Sequence, residues 1–205
     1  VMDSHAVFGN GCGGWRMYMP SASDEPAKID WRENARAAKA GCSYLTTGPF
    51  LQVTTLQGDR PGATVRAENG AVTLKVSVQC TDWIDIDRVQ VLVNGRAPSE
   101  LNFTKARNPE LFKEGVLKFA REIKVPVKED AHLIVVACSE TLNLQTGYGS
   151  SSQSANKPLA YNNPLFVDVD GNGFQPNGDM LDFVHTGKKV SVEDAKAFLA
   201  RRQQP

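Results

Sequence analysis

The sequence has no excess of either charge: 23 Lys+Arg balance 23 Asp+Glu over 205 residues. A general binder of nucleic acid or of an anionic membrane needs a basic surplus, so no partner of either kind is expected. Long apolar runs are also missing. The longest, Leu133 to Cys138, is far short of the ~20 residues that a helical span requires. Cysteines are few, and Cys12, Cys42, Cys80 and Cys138 show no C-x-x-C spacing. That excludes a zinc ribbon or a thioredoxin-type motif. No G-x-S-x-G elbow, P-loop or H-E-x-x-H is present. No signal peptide is expected at the opening, because Met2 is followed at once by Asp3-Ser4-His5. The opening is dense and motif-like, so a piece of something longer is expected. There is no internal repeat.

What remains is ordinary globular composition, 41% hydrophobic and 22% charged. Trp15 to Met19 reads as a strand before Pro20. Asp30-Trp31-Arg32-Glu33 reads as a capping box, Ala35 to Ala40 continue a helix, and Gly41 stops it. Ser43 to Thr47 is β-branched and aromatic, hence a strand. The order strand–helix–strand suggests a βαβ unit of a parallel α/β fold.

Beyond residue 48 the texture is all β. Val72, Leu74, Val76, Val78 and Cys80 alternate with polar residues, as do Val89, Val91 and Val93. Asn94-Gly95 is a type I′ hairpin signal. Leu117, Phe119, Ile123 and Val125 give another run, and His132 to Cys138 reads as a central strand. The expected fold is mainly β: an antiparallel, Ig-like β-sandwich, preceded by a partial α/β (βαβ) segment and followed by a C-terminal helix from Ser191. The expected divisions are 1–48, 49–167 and 168–205. Gly147 to Asn156 reads as a mobile polar loop. A Cys80–Cys138 bridge is geometrically possible, with two buried thiols the simpler expectation.

The strongest chemical signal is Asp168-Val-Asp170-Gly-Asn172-Gly173-Phe174, continuing to Asp179. Counting Asp168 as position one puts oxygen side chains at one, three, five and twelve. Gly173 falls at six, and the Phe174 carbonyl at seven. That is the spacing of an EF-hand-type calcium loop, with Asp instead of Glu at twelve and a strand rather than a helix leading in. The competing reading is a hairpin turning on Asp170-Gly171, where Asp and Asn serve turn geometry alone. A calcium in loop 168–179 would be structural, and would favour an exported location.

Asp3 and His5 form a D-x-H pair suited to a divalent metal, but a catalytic zinc needs three protein ligands. His132 is expected to pack in its strand, and His185 to lie at the surface. Gly9 to Gly14 matches G-x-G-x-x-G but does not open a helix, so it reads as a flexible loop. Arg16, just after it, reads either as a contact for an anionic substrate group or as a solvated strand charge. Asp82, Asp85 and Asp87 read as a solvated inter-strand loop, with Trp83 covering the sandwich edge.

Asp3-Ser4-His5 resembles the last metal-binding D-x-H motif of the PHP (polymerase and histidinol phosphatase) metallohydrolases. Ala40 to Leu51, with Thr47-Gly48-Pro49-Phe50-Leu51, resembles a segment of their CehA/McbA-like branch. So does Asn163-Pro164-Leu165-Phe166-Val167-Asp168-Val169-Asp170-Gly171. The resemblance implies that residues 1–48 are the end of an α/β barrel, followed by an accessory sandwich. It implies a parent that hydrolyses phosphoester, ester or amide bonds at a zinc, manganese or iron centre. Asp3 and His5 would be partial metal ligands there, and Arg16 and Tyr18 would face the substrate. The earlier His-rich motifs have no counterpart, so this chain alone is expected to be inactive. Its expected partners are the rest of the barrel and, through the exposed barrel remnant, a second copy of itself. The alternative is a free-standing calcium-stabilised sandwich that binds carbohydrate or protein.

Overall fold

The computed structural model describes residues 14–178 and Glu193. The strands are β1 (Arg16–Tyr18), β2 (Tyr44–Thr46), β3 (Phe50–Thr55), β4 (Thr64–Arg66), β5 (Ala71–Gln79), β6 (Arg88–Val93), β7 (Asn102–Thr104), β8 (Leu117–Pro126), β9 (Ala131–Cys138), β10 (Leu159–Asn162) and β11 (Leu165–Asp168). Helix α1 is Trp31–Lys39 and α2 is Gln145–Tyr148. Two sheets form, and the fold is mainly β. One sheet is β3-β5-β8, antiparallel throughout. The other is built on β9, with β6 along one edge and β10 and β11 end to end along the other.

The alternation in the sequence sets the core. Leu74, Val76 and Val78 of β5 and Phe119, Ile123 and Val125 of β8 face inward. They meet Val89 and Val91 of β6 and Leu133, Val135 and Ala137 of β9 in one buried cluster. The other face of β9, His132 to Cys138 by twos, is only half-buried. Each fully buried aliphatic side chain stabilises by roughly 1.5–3 kcal/mol. One residue breaks the pattern. The register slips between Val78 and Gln79, where Lys118 is the extra residue. The bulge carries Lys118 to 7% exposure, and its ammonium lies 3.5 Å from Asp85.

The turns follow the sequence. Asn94 and Gly95 take positive φ (50° and 78°), and Val93 and Arg96 exchange backbone hydrogen bonds around them. Asp30 caps α1 by accepting the Arg32 N–H (2.9 Å), and Gly41 ends it at φ 74°. The segment 147–156 is tied to itself and to Leu144: Ser154 Oγ donates to the Ser151 carbonyl, and Leu144 N–H is shared between the Ser154 and Asn156 carbonyls.

The βαβ expectation needs correction. Strand, helix and strand occur in that order, but β1 and β2 pair antiparallel, Arg16 opposite Thr46. A parallel pair requires a crossover that packs on the sheet, and α1 buries none of its residues. β2 instead pairs with β10 and extends the larger sheet. Cys42, Cys80 and Cys138 are free thiols, with the Cys80 thiol pushed up to about 12, chiefly by burial. Of the helix expected from Ser191 only Glu193 is described, and it is helical; His185 lies outside the described residues.

Candidate functional site

Two places merit description: the loop after β11, and the joint where β2 meets β10. The loop begins where β11 ends beside the start of β9, with Val167 opposite Ala131. That register sets Asp130 next to Asp168. Oxygens of Asp130, Asp168 and Asp170 lie within 4.8 Å of one another. The loop is wound by its own amides. Asp168 accepts from Gly171 N–H (2.6 Å) and Gly173 N–H (3.1 Å). Asp130 accepts from Val169 N–H (2.8 Å) and Gln175 N–H (2.7 Å). Gly171 and Gly173 both take positive φ (87° and 95°), the conformation that a loop this tight demands. Phe174 stacks obliquely on Phe166, centroids 4.8 Å apart, and holds the loop to the strand.

These amides hold the Asp168 carboxyl below the usual carboxylate range. The Gly171 N–H is the largest influence, opposed in part by burial, with the Gly173 N–H and the Arg66 guanidinium adding to it. Arg66 faces Asp168 across the parallel β4–β11 pair and lies against Gly171. One positive charge is therefore already at the cluster.

Of the predicted calcium ligands, the structure brings Asp168 and Asp170 together. Asn172 turns its amide nitrogen to Asp170 Oδ2 (2.7 Å). Asp179 lies outside the described residues, as do Asp3 and His5. Asp130 was not identified from the sequence. Its signal is the β9–β11 register, which no local pattern carries.

Arg16 and Tyr18 sit on β1 at the sheet edge. An Arg16 Nη donates to the Thr47 carbonyl (3.0 Å), and Arg16 Nε is buried with no hydrogen-bond partner among the described residues. Tyr18 stacks on Tyr44 (5.1 Å, 7°), and Phe50 meets both edge-on. Burial, and next the Tyr18 phenol, push the Tyr44 phenol up. The trio borders a groove of about 310 Å³ that also takes in Cys42, Gln52 and Arg60.

Two of the acidic residues around Trp83, Asp85 and Asp87, have structural partners. Asp85 pairs with Lys105 (3.3 Å) and Lys118. Asp87 accepts from Ser139, Glu140 and Thr141. The Trp83 ring lies on Gly147.

The joint takes in parts of two segments that carry the family resemblance, together with Gly62 and Leu159. Asn163 Nδ2 donates to the Gly41 carbonyl (3.1 Å) and to Ser43 Oγ (2.8 Å). Thr47 N–H donates to the Leu159 carbonyl (2.8 Å), and Thr47 Oγ1 accepts the Leu159 N–H (2.9 Å). Gly62 N–H donates to the Pro164 carbonyl (2.8 Å). Thr46 Oγ1 binds across its own turn, donating to the Pro49 carbonyl (2.6 Å) and accepting the Gly48 N–H (2.8 Å). These polar residues tie the strand–helix–strand segment to the sandwich. Compared with known proteins, the chain matches no family model and no curated protein.

Proposed function

We propose that the chain is the C-terminal part of a PHP-type metal-dependent hydrolase of phosphoester, ester or amide bonds. Its sandwich positions the end of the barrel, and loop 168–179 with Asp130 holds a structural calcium. The observation that carries this reading is the joint. The segments Ala40 to Leu51 and Asn163 to Gly171 each carry part of the resemblance, and Asn163 ties them together by donating to Gly41 and Ser43 across more than a hundred residues. An accessory domain that must hold a catalytic body in register needs such a polar seam. Asp3 and His5 would be metal ligands of the intact enzyme, and this chain alone is inactive. The reading frame upstream of Val1 tests the proposal. It is expected to encode a barrel with H-x-H motifs, and a frame without them overturns the hydrolase reading. With added manganese, the chain alone is expected not to hydrolyse p-nitrophenyl phosphate.

A calcium bound in the loop would add its charge to a site where three carboxylates cluster and Arg66 already acts on one of them, Asp168. At about a hundred times its dissociation constant, a bound ion stabilises by about 2.7 kcal/mol. For a chain of this size that is a rise of roughly 5–10 °C in melting temperature. EDTA is expected to reverse the rise, and Asp168→Ala to abolish the response. A midpoint indifferent to EDTA overturns the calcium assignment.

The second reading is a free-standing calcium-stabilised sandwich that binds carbohydrate or protein. It draws on the groove beside Tyr18, Tyr44 and Phe50. An upstream frame without a barrel would leave this reading in place.

A further inference from the structure

The chain contains five Asn-Gly steps, of which Asn10-Gly11 lies outside the described residues. The others are Asn69-Gly70, Asn94-Gly95, Asn172-Gly173 and Asn177-Gly178. Glycine leaves its amide nitrogen open to attack on the preceding side chain, because no Cβ hinders the approach. The structure treats these four steps very differently.

Asn94 is pinned to the central strand: its Oδ1 accepts the His132 N–H (2.9 Å), and its own N–H donates to the His132 carbonyl (3.0 Å). Asn172 donates its side-chain amide to Asp170 (2.7 Å). The nitrogen that would attack it, Gly173 N, is held by the Asp168 carboxylate (3.1 Å). A carboxylate at that N–H opposes the deprotonation that ring closure requires. Asn177 donates its amide to Glu129 (2.9 Å). Asn69 differs from all three. It is exposed at the tip of a two-residue turn, at φ 51° beside Gly70 at φ 71°. The Glu68–Ala71 backbone pair closes the turn (2.9 and 3.1 Å). Neither the Asn69 side chain nor the Gly70 N–H has a hydrogen bond among the described residues.

We propose that Asn69 is a site of spontaneous modification, converting to aspartate and isoaspartate ahead of the other three. The Gly70 nitrogen bonds to the Asn69 Cγ, and the side-chain nitrogen leaves as ammonia. The resulting five-membered imide is opened by water at either carbonyl, giving aspartate or isoaspartate. No oxidant or cofactor enters the balance. Isoaspartate routes the main chain through the former side chain, one carbon longer, in a turn with no slack. The new carboxylate also lies beside Glu68, and the turn's Gly70 carbonyl is what Val127 N–H binds at the end of β8 (2.9 Å). The inference is independent of the hydrolase reading, and because Asp168 and Asp170, which hold Asn172 and Gly173, are carboxylates of the calcium reading, the incubation contains EDTA.

The test is peptide mapping of the full chain after incubation in mildly alkaline buffer, with isoaspartate followed at each step. A hydrogen bond to a carboxylate that must be broken before the ring can close slows closure about tenfold or more. Asn69 is therefore expected to convert about tenfold or more faster than Asn94 and Asn172, and faster than Asn177. Any of the three keeping pace with Asn69 overturns the proposal. Asp170→Ala supplies a second measurement, because it frees the Asn172 amide. Asn172 is then expected to accelerate several-fold with Asn69 unchanged. An unaltered rate at Asn172 refutes the claim that these hydrogen bonds set the order.

Discussion

Gly62→Ala is expected to cost about 3 kcal/mol or more in unfolding free energy, among the larger effects of a single methyl group. A Cβ at Gly62 would stand 1.9 Å from the Ala40 carbonyl oxygen and 2.9 Å from its carbon. Both are main-chain atoms at the end of α1, so no side chain can swing aside. The φ of 91° adds a conformational penalty, roughly 1–2 kcal/mol for an L residue. Gly58 separates the two contributions. Its φ is 93°, and an added Cβ there meets nothing within 4 Å. Urea denaturation of both variants should give Gly58→Ala the conformational penalty alone and Gly62→Ala the close contact as well. Equal destabilisation would show that Ala40 does not press on Gly62, and would loosen the joint on which the functional reading rests.

Asp87→Ala should cost about 2–3 kcal/mol near neutral pH, since three residues lose a charged acceptor at once. Asp87 accepts from Ser139 Oγ (3.0 Å), Glu140 N–H (2.9 Å), Thr141 N–H (3.1 Å) and Thr141 Oγ1 (2.8 Å). Burial pushes its carboxyl up, but these hydrogen bonds outweigh burial and hold it below its ordinary value. The sign follows from that depression. The stabilisation is fully present above the unfolded carboxyl value of about 3.9 and is lost as pH falls through the folded one. The gap between wild type and Asp87→Ala in urea should be constant from about pH 6 upward and shrink below about pH 4. A gap that persists unchanged in acid would mean that the carboxylate charge does not hold the 139–141 turn.

Both predictions concern residues that local sequence pattern treats poorly, and that marks where legibility ends. Strand β5 was readable because one wet face leaves a period of two. The Asn94-Gly95 turn and the Asp30 cap were readable because each is completed within four residues. The direction of β1 against β2 was not, since the same strand–helix–strand order serves parallel and antiparallel pairing. The burial of Lys118 depends on a bulge that the sequence does not announce. Strand β4 is three residues long and mostly exposed, so it has no periodicity to find. In the candidate loop, Asp168 and Asp170 were visible as a spacing. Asp130 joins them only through pairing between strands that are distant in sequence. Asp87 read as a solvated charge because its donors lie some fifty residues downstream.

Strands β10 and β11 lie along a single edge of β9, parted by Asn163-Pro164. The Asn162 side chain fills the gap by accepting the Val135 N–H (2.7 Å), a bond that a continuous ladder would take from main chain. Because of the break, two unlike neighbours hang from what is nearly one strand. β2 hangs antiparallel from the first half, and β4 hangs parallel from the second. In mechanical terms the break is a decoupler. A load on the N-terminal segment passes through β2 into β10, and from there into β9 along a pairing separate from the one that holds β11. The acidic loop at the far end of β11 therefore feels a pull on the segment that carries α1 only by way of Asn163-Pro164 and of the separate β9–β11 pairing.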